Sequence, residues 1–268
     1  MSGFSASWLD LRAPADARAR SEHMLAAART YCADLNDLAV TDLGAGVGAT
    51  AMALADILPR PRRWRLVDLD AANLDEAARR LAAAGETVET AVVDLAATPA
   101  CWGRDCALVT ASALFDLASD AWIDRFVDAL ARDRLALLAM LTYDGRQAFR
   151  PQCPDDAAML AAFNRHQRLD KGLGGPAAGP DAAPRLIDRL ESSGYAVVVA
   201  QSPWRLDGRR DADLTGETLR GWASAVTEAG LVEGAVARRW LEARLARTDE
   251  MTVGHVDLFA RPLEAAGE

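Results

Sequence analysis

Residues 38–50 read Leu-Ala-Val-Thr-Asp-Leu-Gly-Ala-Gly-Val-Gly-Ala-Thr, and this stretch decides the fold. An apolar run climbs into an aspartate, three alternate glycines follow, and an alanine-rich helical pattern comes next. This order predicts a strand, a tight turn and a helix, the opening of a nucleotide-binding βαβ unit. Glycines suit such a turn because its backbone must approach a ligand without a Cβ in the way.

Asp42, two residues before the first glycine, separates two classes of cofactor. The spacing of Gly44, Gly46 and Ala49 also fits a dinucleotide fingerprint with alanine in its last place. A carboxylate at the strand tip would repel the pyrophosphate of a dinucleotide. S-adenosylmethionine carries an ammonium and a sulfonium, which a nearby anion favours. The alternative is that Asp42 only caps the turn or the next helix.

Acidic residues also end the second and third predicted strands. Asp68 is placed where a carboxylate can accept both ribose hydroxyls of a nucleoside. Asp70 is better placed to cap the helix that follows. Asp94 can accept a hydrogen bond from an adenine amino group while Leu95 packs on the ring.

Strands alternate with helices along the first half of the chain, which predicts a parallel sheet wound on both faces. Ligand sites in such sheets lie outside the carboxyl ends of the strands. The predicted strands cover residues 38–42, 64–70, 88–93, 107–111 and 134–143. The side chains at or near their ends are Asp42, Asp68, Asp94, Ser112 and Tyr143.

Helical segments and a closing hairpin complete the predicted order of elements. Predicted helices cover residues 5–37, 72–84, 121–132, 154–169, 181–192, 214–229 and 235–247, and late strands cover 195–205 and 252–261. We expect a single domain over 1–268, divided into an N-terminal helical cap (1–37), a cofactor-binding half (38–145) and a substrate-side half (146–268). The glycine- and proline-rich loop 172–180 is predicted to be a mobile lid.

Together these residues resemble the class I S-adenosylmethionine-dependent methyltransferases. The first motif of that family is similar to residues 42–48, its ribose acid to Asp68, its adenine-side acid to Asp94 and its fourth-strand motif to residues 105–112. The resemblance covers residues 20–145 well and the C-terminal hairpin loosely. It implies a doubly wound, mostly parallel seven-stranded sheet with an antiparallel last strand and helical cap insertions.

The resemblance also implies S-adenosylmethionine as cofactor and a set of residues that bind it. A leading helix often crosses the cofactor mouth in this family, and a guanidinium pairs well with the methionine carboxylate, so Arg12, Arg18 or Arg20 could do so; for each the alternative is a solvated helix face. Ala45 departs from the cysteine or serine of many members, but the position needs only a small side chain. The predicted cofactor-binding residues are Arg18, Asp42, Gly44, Ala45, Gly46, Asp68, Leu69, Asp94, Leu95, Thr110 and Ala111.

Methyl transfer from a sulfonium needs positioning above all, and a general base if the acceptor is a hydroxyl or a protonated amine. The sequence leaves the catalytic residue unknown, with Asp116, Tyr143 and His166 as candidates. The predicted substrate-binding residues near the strand ends and the cap are Asp116, Tyr143, Asn164, His166 and Trp204.

The composition excludes several classes of function. A formal net charge of −9 argues against a protein held by nucleic-acid phosphates. The four cysteines and three histidines lack metal-ligand spacing, so no metal is expected. There is no apolar run of about 20 residues and no signal-like N-terminus, so we expect no membrane partner and a cytoplasmic location.

A methyltransferase for a small-molecule acceptor is therefore the favoured interpretation, and the sequence leaves the oligomeric state unknown. One alternative is an NAD(P)-dependent oxidoreductase of Rossmann type. Against it stand Asp42 and the missing Tyr-x-x-x-Lys pair, since Lys171 is the sole lysine. The other alternative is a protein that binds S-adenosylmethionine without turnover.

Overall fold

The computed structural model describes residues 5–60 and 62–264, so the outermost residues of the predicted N-terminal cap and of the C-terminal half lie outside the description. The helices are α1 (Ala6–Ala19), α2 (Glu22–Cys32), α3 (Ala49–Ala55), α4 (Ala71–Ala83), α5 (Asp120–Arg132), α6 (Asp156–Gln167), α7 (Ala182–Ser192), α8 (Ala212–Glu228) and α9 (Gly234–Ala246). The strands are β1 (Leu38–Leu43), β2 (Arg62–Asp68), β3 (Thr87–Val92), β4 (Leu108–Ser112), β5 (Ala136–Arg150), β6 (Tyr195–Gln201), β7 (Trp204–Asp207) and β8 (Glu250–Pro262).

One mixed sheet carries the fold, in the order β3-β2-β1-β4-β5-β8-β6. β1 to β5 pair in parallel, and β8 runs antiparallel to both β5 and β6. The predicted doubly wound sheet with an antiparallel last strand is confirmed. The dinucleotide-binding fold has the strand order 3-2-1-4-5-6, in which no antiparallel strand lies between the fifth strand and the edge strand. The topology therefore speaks against the oxidoreductase alternative.

The sheet has eight strands where seven were predicted. The segment predicted as one strand over 195–205 is two strands, because Ser202 and Pro203 interrupt it. Ser202 donates its N–H to the carbonyl of His255 (2.9 Å) and its hydroxyl to Asp257 (2.5 Å). Proline has no N–H to donate to a ladder. After this break β7 pairs with β8 farther along.

The leading segment, predicted as helical over 5–37, forms two helices rather than one continuous element. α1 ends at Ala19, and Arg20 is extended (φ −54°, ψ 133°). Ser21 then caps α2, and its hydroxyl accepts the N–H of Met24 (3.4 Å). A serine just before a helix favours a new start there, since its side chain satisfies an orphan N–H.

The glycine-rich loop, predicted to be a mobile lid, is hydrogen-bonded to the start of α5. Leu173 accepts the N–H of Ser119 (3.0 Å), and Gly174 accepts its hydroxyl (3.0 Å). Ala178 donates its N–H to the carbonyl of Ala118 (2.7 Å) and is buried. The left-handed Gly174 (φ +85°) lets the chain turn this closely. The composition indicated an irregular segment, but the tertiary contacts fix it.

Apolar clusters cover both faces of the sheet, and a third fills the space beneath the cap helices. The aromatic members of this third cluster are Tyr143, Phe149, Phe163, Trp204, Trp222 and Trp240. No helix within the described ranges is long and apolar enough to cross a membrane.

Candidate functional site at the carboxyl edge of the sheet

The glycine turn after β1 is built as the sequence predicts. Gly44, Gly46 and Gly48 all have left-handed backbones, with φ of +66°, +51° and +83°. A Cβ on Gly46 would lie 2.9 Å from Cδ1 of Leu9, so α1 passes directly over the turn. Ala45 is buried and donates its N–H to the carbonyl of Val67 (3.0 Å).

Asp68 joins the end of β2 to the glycine turn. Its Oδ2 accepts the N–H of Gly46 (2.8 Å), and its Oδ1 accepts the N–H of Asp70 (3.0 Å). Asp70 caps α4, with Oδ1 accepting the N–H groups of the next helical turn. Leu69 between them is 62% exposed. Asp68 therefore holds the glycine turn, and Asp70 caps α4.

The end of β3 places its two predicted residues in different environments. Asp94 is exposed, and its carboxylate accepts the N–H of Ala96 (2.9 Å). Leu95 is buried within the core cluster, and its carbonyl accepts the indole N–H of Trp122 (2.6 Å). Of these two residues, the exposed Asp94 can contact a ligand, whereas Leu95 packs into the core and anchors the segment after β3.

Asp42 is a buried carboxylate at the tip of β1. Its Oδ1 accepts the hydroxyl of Thr110 (2.6 Å), while Oδ2 has no partner within the described part of the chain. Burial raises the pKa of Asp42 to about 7, opposed by the Thr110 hydroxyl and the charge of Arg20 and reinforced by Asp68. Thr110 and Ala111 are themselves buried in β4. Asp42 is thus available to a cationic group.

Arg20, rather than the predicted Arg18, is the arginine whose charge acts on Asp42. Arg18 donates to Asp211 of α8 (2.6 Å), and its side chain is 40% exposed. Arg20 is buried, its Nε has no partner among the described residues, and burial lowers its pKa against the pull of Asp16 and other acids. The chain leaves the helix at Arg20, and that side chain is buried.

The predicted substrate-side residues Tyr143 and Asn164 are brought together. The Tyr143 hydroxyl donates to Oδ1 of Asn164 (2.8 Å) and accepts from Gln147 (2.9 Å). Asn164 also donates to the carbonyl of Gly145 (2.9 Å). Burial raises the pKa of Tyr143 far above its ordinary value. This pair ties α6 to β5, and a phenol held in this way is a poor base.

Trp204 belongs to a cluster that sequence reasoning missed. Its indole N–H donates to Asp16 of α1 (2.8 Å), which also accepts both a 2.9 Å and a 3.2 Å bond from Arg12. The Arg12 guanidinium lies 5.1 Å from the centre of the Trp204 ring, and the ring of His255 lies 5.3 Å away. Nothing local marks these partners, since α1, β7 and β8 lie far apart in sequence.

His255 is buried in β8 and kept neutral. Burial, with the nearby charge of Arg12, lowers its pKa to about 3. Its Nδ1 has no partner within residues 5–60 and 62–264. The ring lies beside Trp204 and Tyr143 at the site.

Asp257, two residues farther along β8, holds the edge together. Its Oδ1 accepts the N–H of Leu141 (2.7 Å) and the hydroxyl of Ser202 (2.5 Å), and its Oδ2 accepts the N–H of Ser21 (2.8 Å). Leu141 is left-handed (φ +55°), a strained state for leucine that the carboxylate helps to maintain. Sequence reasoning did not find this residue.

Buried polar atoms without a hydrogen-bond partner in the described ranges collect at this edge. Buried polar groups are normally paired, so their concentration marks a place where a polar ligand would be favourable. They are Arg20 Nε, Asp42 Oδ2, Ser112 Oγ, Asp116 Oδ1, Thr142 Oγ1 and His255 Nδ1.

A cleft at the opposite edge of the sheet offers no comparable chemistry. Its charged side chains neutralise one another: Arg63 pairs with Asp37 and Asp105, and Arg65 pairs with Glu89. Within the ranges that the structure describes, no cluster of histidine, cysteine and acidic residues could hold a metal ion. The carboxyl edge is therefore the candidate site.

Comparison with known proteins gives a partial match to one family and a shared fold. Residues 40–133 match a family described as a methyltransferase domain. No curated protein sequence matches the chain significantly.

The solved structures that the chain resembles share its fold at low identity. A candidate methyltransferase from Bacillus halodurans C-125 is 15% identical, with a TM-score of 0.52 over 89% of this chain and 99% of that one. The YcgJ protein from Bacillus subtilis is 14% identical, with a TM-score of 0.51 over 91% and 100%. Mycolic acid cyclopropane synthase CmaA1, complexed with SAH and CTAB, is 13% identical, with a TM-score of 0.51 over 89% and 83%.

Proposed function

We propose that this chain, whose residues 40–133 match a methyltransferase domain family, is a class I S-adenosylmethionine-dependent methyltransferase that methylates a small-molecule acceptor. The observation that carries the proposal is the group of unpartnered buried polar atoms at the carboxyl edge of the sheet. A few buried polar groups suit a small ligand, whereas a polymer needs open access. The acidic net charge of −9 also disfavours a polyanionic substrate.

The residues at the site fit S-adenosylmethionine, which supplies a methyl group on a positively charged sulfur. The free Oδ2 of Asp42 suits the ammonium of its methionyl end, and the free Nε of Arg20 suits the carboxylate. The glycine turn gives the close backbone approach. Asp68 stands at the turn for the ribose hydroxyls, with Asp94 and the exposed Leu69 toward the adenine.

Labelled S-adenosylmethionine tests the proposed acceptor class. The protein and the methyl-labelled cofactor are incubated in three separate reactions with one fraction of its source cells each. The fractions are dialysable small molecules, bulk RNA and bulk protein. We expect label in the small-molecule fraction, with a heat-denatured sample as the blank. Label in RNA or protein and none in the small molecules would refute the proposal. The proposed cytoplasmic location agrees with use of this cofactor on metabolites.

The affinity for S-adenosylhomocysteine should increase as the pH rises from about 5 to about 7, by at most about tenfold per unit. The pKa of Asp42 is raised to about 7 in the free protein, so an ammonium that favours its ionised form must displace a proton below that pH. Titration calorimetry at several pH values measures the slope. Asp42→Asn should abolish the pH dependence of the affinity. Asp181→Asn should keep it, because Asp181 is an exposed carboxylate that pairs with Arg168. An unchanged slope in Asp42→Asn would remove Asp42 from the ammonium site.

A further inference from the structure

Asp116 is a buried carboxylate with one unpaired oxygen. It lies in the short turn Phe115–Leu117 after β4 and is 8% exposed. Its Oδ1 has no hydrogen-bond partner within the described residues, and it forms no ion pair there. Buried polar atoms are normally hydrogen-bonded, so the unpaired oxygen of Asp116 is available to a ligand.

The bridge between Ala118 and Leu173 brings the start of the glycine loop beside the turn that contains Asp116. Two positive charges act on this carboxylate, those of Arg12 in α1 and of Lys171 immediately before the loop. Arg12 is already paired with Asp16 in two hydrogen bonds. Lys171 has no carboxylate partner among the residues described, and its Nζ lies 3.2 Å from Nδ1 of His166. Lys171 is therefore the cation whose charge is left for a ligand.

His166 is better suited to orient Lys171 than to take a proton. Burial and the neighbouring ammonium of Lys171 lower the pKa of His166, which keeps the ring neutral. A neutral ring nitrogen can accept an N–H from Lys171 at the observed distance. The pinned loop fixes the backbone of Lys171 near this pair.

We propose that Asp116 takes the proton of an acceptor hydroxyl, while Lys171 stabilises the same oxygen as it gains negative charge. This inference depends on the proposed methyl transfer and names the atom that receives the methyl. The acceptor oxygen forms its bond to the methyl carbon with a lone pair, its O–H bond breaks, and the proton ends on Oδ1 of Asp116. The electron pair of the broken S–CH₃ bond stays on sulfur.

The charges around Asp116 favour a hydroxyl over an amine. Arg12 and Lys171 would repel an ammonium acceptor, whereas they attract an oxygen that develops negative charge. Trp204 and Tyr143 add aromatic surface beside them, which suits an acceptor with an apolar body.

The titration of Asp116 suits a base at neutral pH. Burial raises its pKa to about 6, against hydrogen bonding from the backbone at its own N–H and at Tyr143 and against the charges of Arg12 and Lys171. The carboxylate is then mostly ionised at pH 7 and more basic than an ordinary aspartate.

Two substitutions test the roles on the acceptor found in the small-molecule fraction. Asp116→Asn keeps the shape and removes the base, so kcat should fall by about 100-fold or more. Lys171→Met should lower kcat by at least about tenfold. The affinity of both variants for S-adenosylhomocysteine and their melting temperatures should stay as in the wild type. Asp181→Asn, an exposed carboxylate beyond the same loop, is the matched control and should retain full activity.

Two further measurements distinguish a base from a structural residue. A ¹³C-labelled methyl reports by its chemical shift whether oxygen, nitrogen or sulfur received it, and we expect oxygen. At saturating cofactor, kcat of the wild type should rise with pH through an apparent pKa of about 6. Carboxyl ¹³C resonances should show one titration near that value which Asp116→Asn lacks.

The outcomes separate the inference from the proposed function. Methyl transfer with an unchanged kcat in Asp116→Asn, an N- or S-methyl product, or a wild-type kcat independent of pH between about 5 and 8 would each overturn the role of Asp116. If Asp116→Asn does not fold, the wild-type pH profile and product decide. Absence of transfer to any small molecule by the wild type would overturn the proposed function, and the inference with it.

Discussion

Replacement of Asp257 by alanine is expected to lower the free energy of unfolding by about 4 kcal/mol or more. The carboxylate is fully buried and accepts hydrogen bonds from Ser21, Leu141 and Ser202. Each buried donor left without a partner costs about 1–3 kcal/mol. The strained left-handed backbone at Leu141 would lose its support at the same time.

Urea unfolding of wild type and variant measures this change. Asp128→Ala is the matched control, since that carboxylate is 69% exposed in its pair with Arg189 and should contribute no more than about 1 kcal/mol. A change of similar size in both variants would mean that the Asp257 network does not hold the edge of the sheet.

The Asp68→Ala variant should bind S-adenosylhomocysteine about 100-fold more weakly, a loss of about 2–3 kcal/mol. A carboxylate that accepts two ribose hydroxyls makes strong, charge-assisted hydrogen bonds. The substitution also releases the N–H of Gly46, which Asp68 holds in the turn at 2.8 Å. Both effects lower affinity for the cofactor, and calorimetric titration measures their sum.

Asp70→Ala is the control for this experiment, because its carboxylate lies two residues away and only caps α4. We expect it to cost about 1 kcal/mol of stability and to leave the affinity unchanged. Equal affinity of the wild type and Asp68→Ala would place the ribose elsewhere. Loss of affinity in Asp70→Ala alone would mean that Asp70, and not Asp68, binds the ribose.

The sheet could be predicted because its determinants are local. The apolar run into Asp42 specifies a strand. The glycines after it specify a tight turn, because they adopt the positive φ angles that the turn needs, +51° to +83° in the structure. The alternation of strands and helices then gives a parallel sheet and brings the strand ends to one edge. The division of labour between Asp68 and Asp70 also followed from position, since one ends a strand and the other precedes a helix.

Errors arose where distant segments decide the local conformation. The break after residue 201 depends on Asp257 and His255, which lie more than fifty residues later in the chain. The burial of Arg20 depends on where α1 ends. The contacts of the loop 172–180 with residues 118 and 119 also depend on a distant segment and cannot be seen in local patterns.

The sequence by itself determined the fold class, the match to a methyltransferase domain over residues 40–133 and much of the order of the elements, because backbone preferences act over a few residues. Only the tertiary structure decided which groups are buried together. It paired Ala118 with Leu173 next to Asp116, placed Arg12 and Asp16 on Trp204, and left Asp42 with one free oxygen. Burial and charge at such a site depend on every segment packed around it, so no short stretch of sequence contains them.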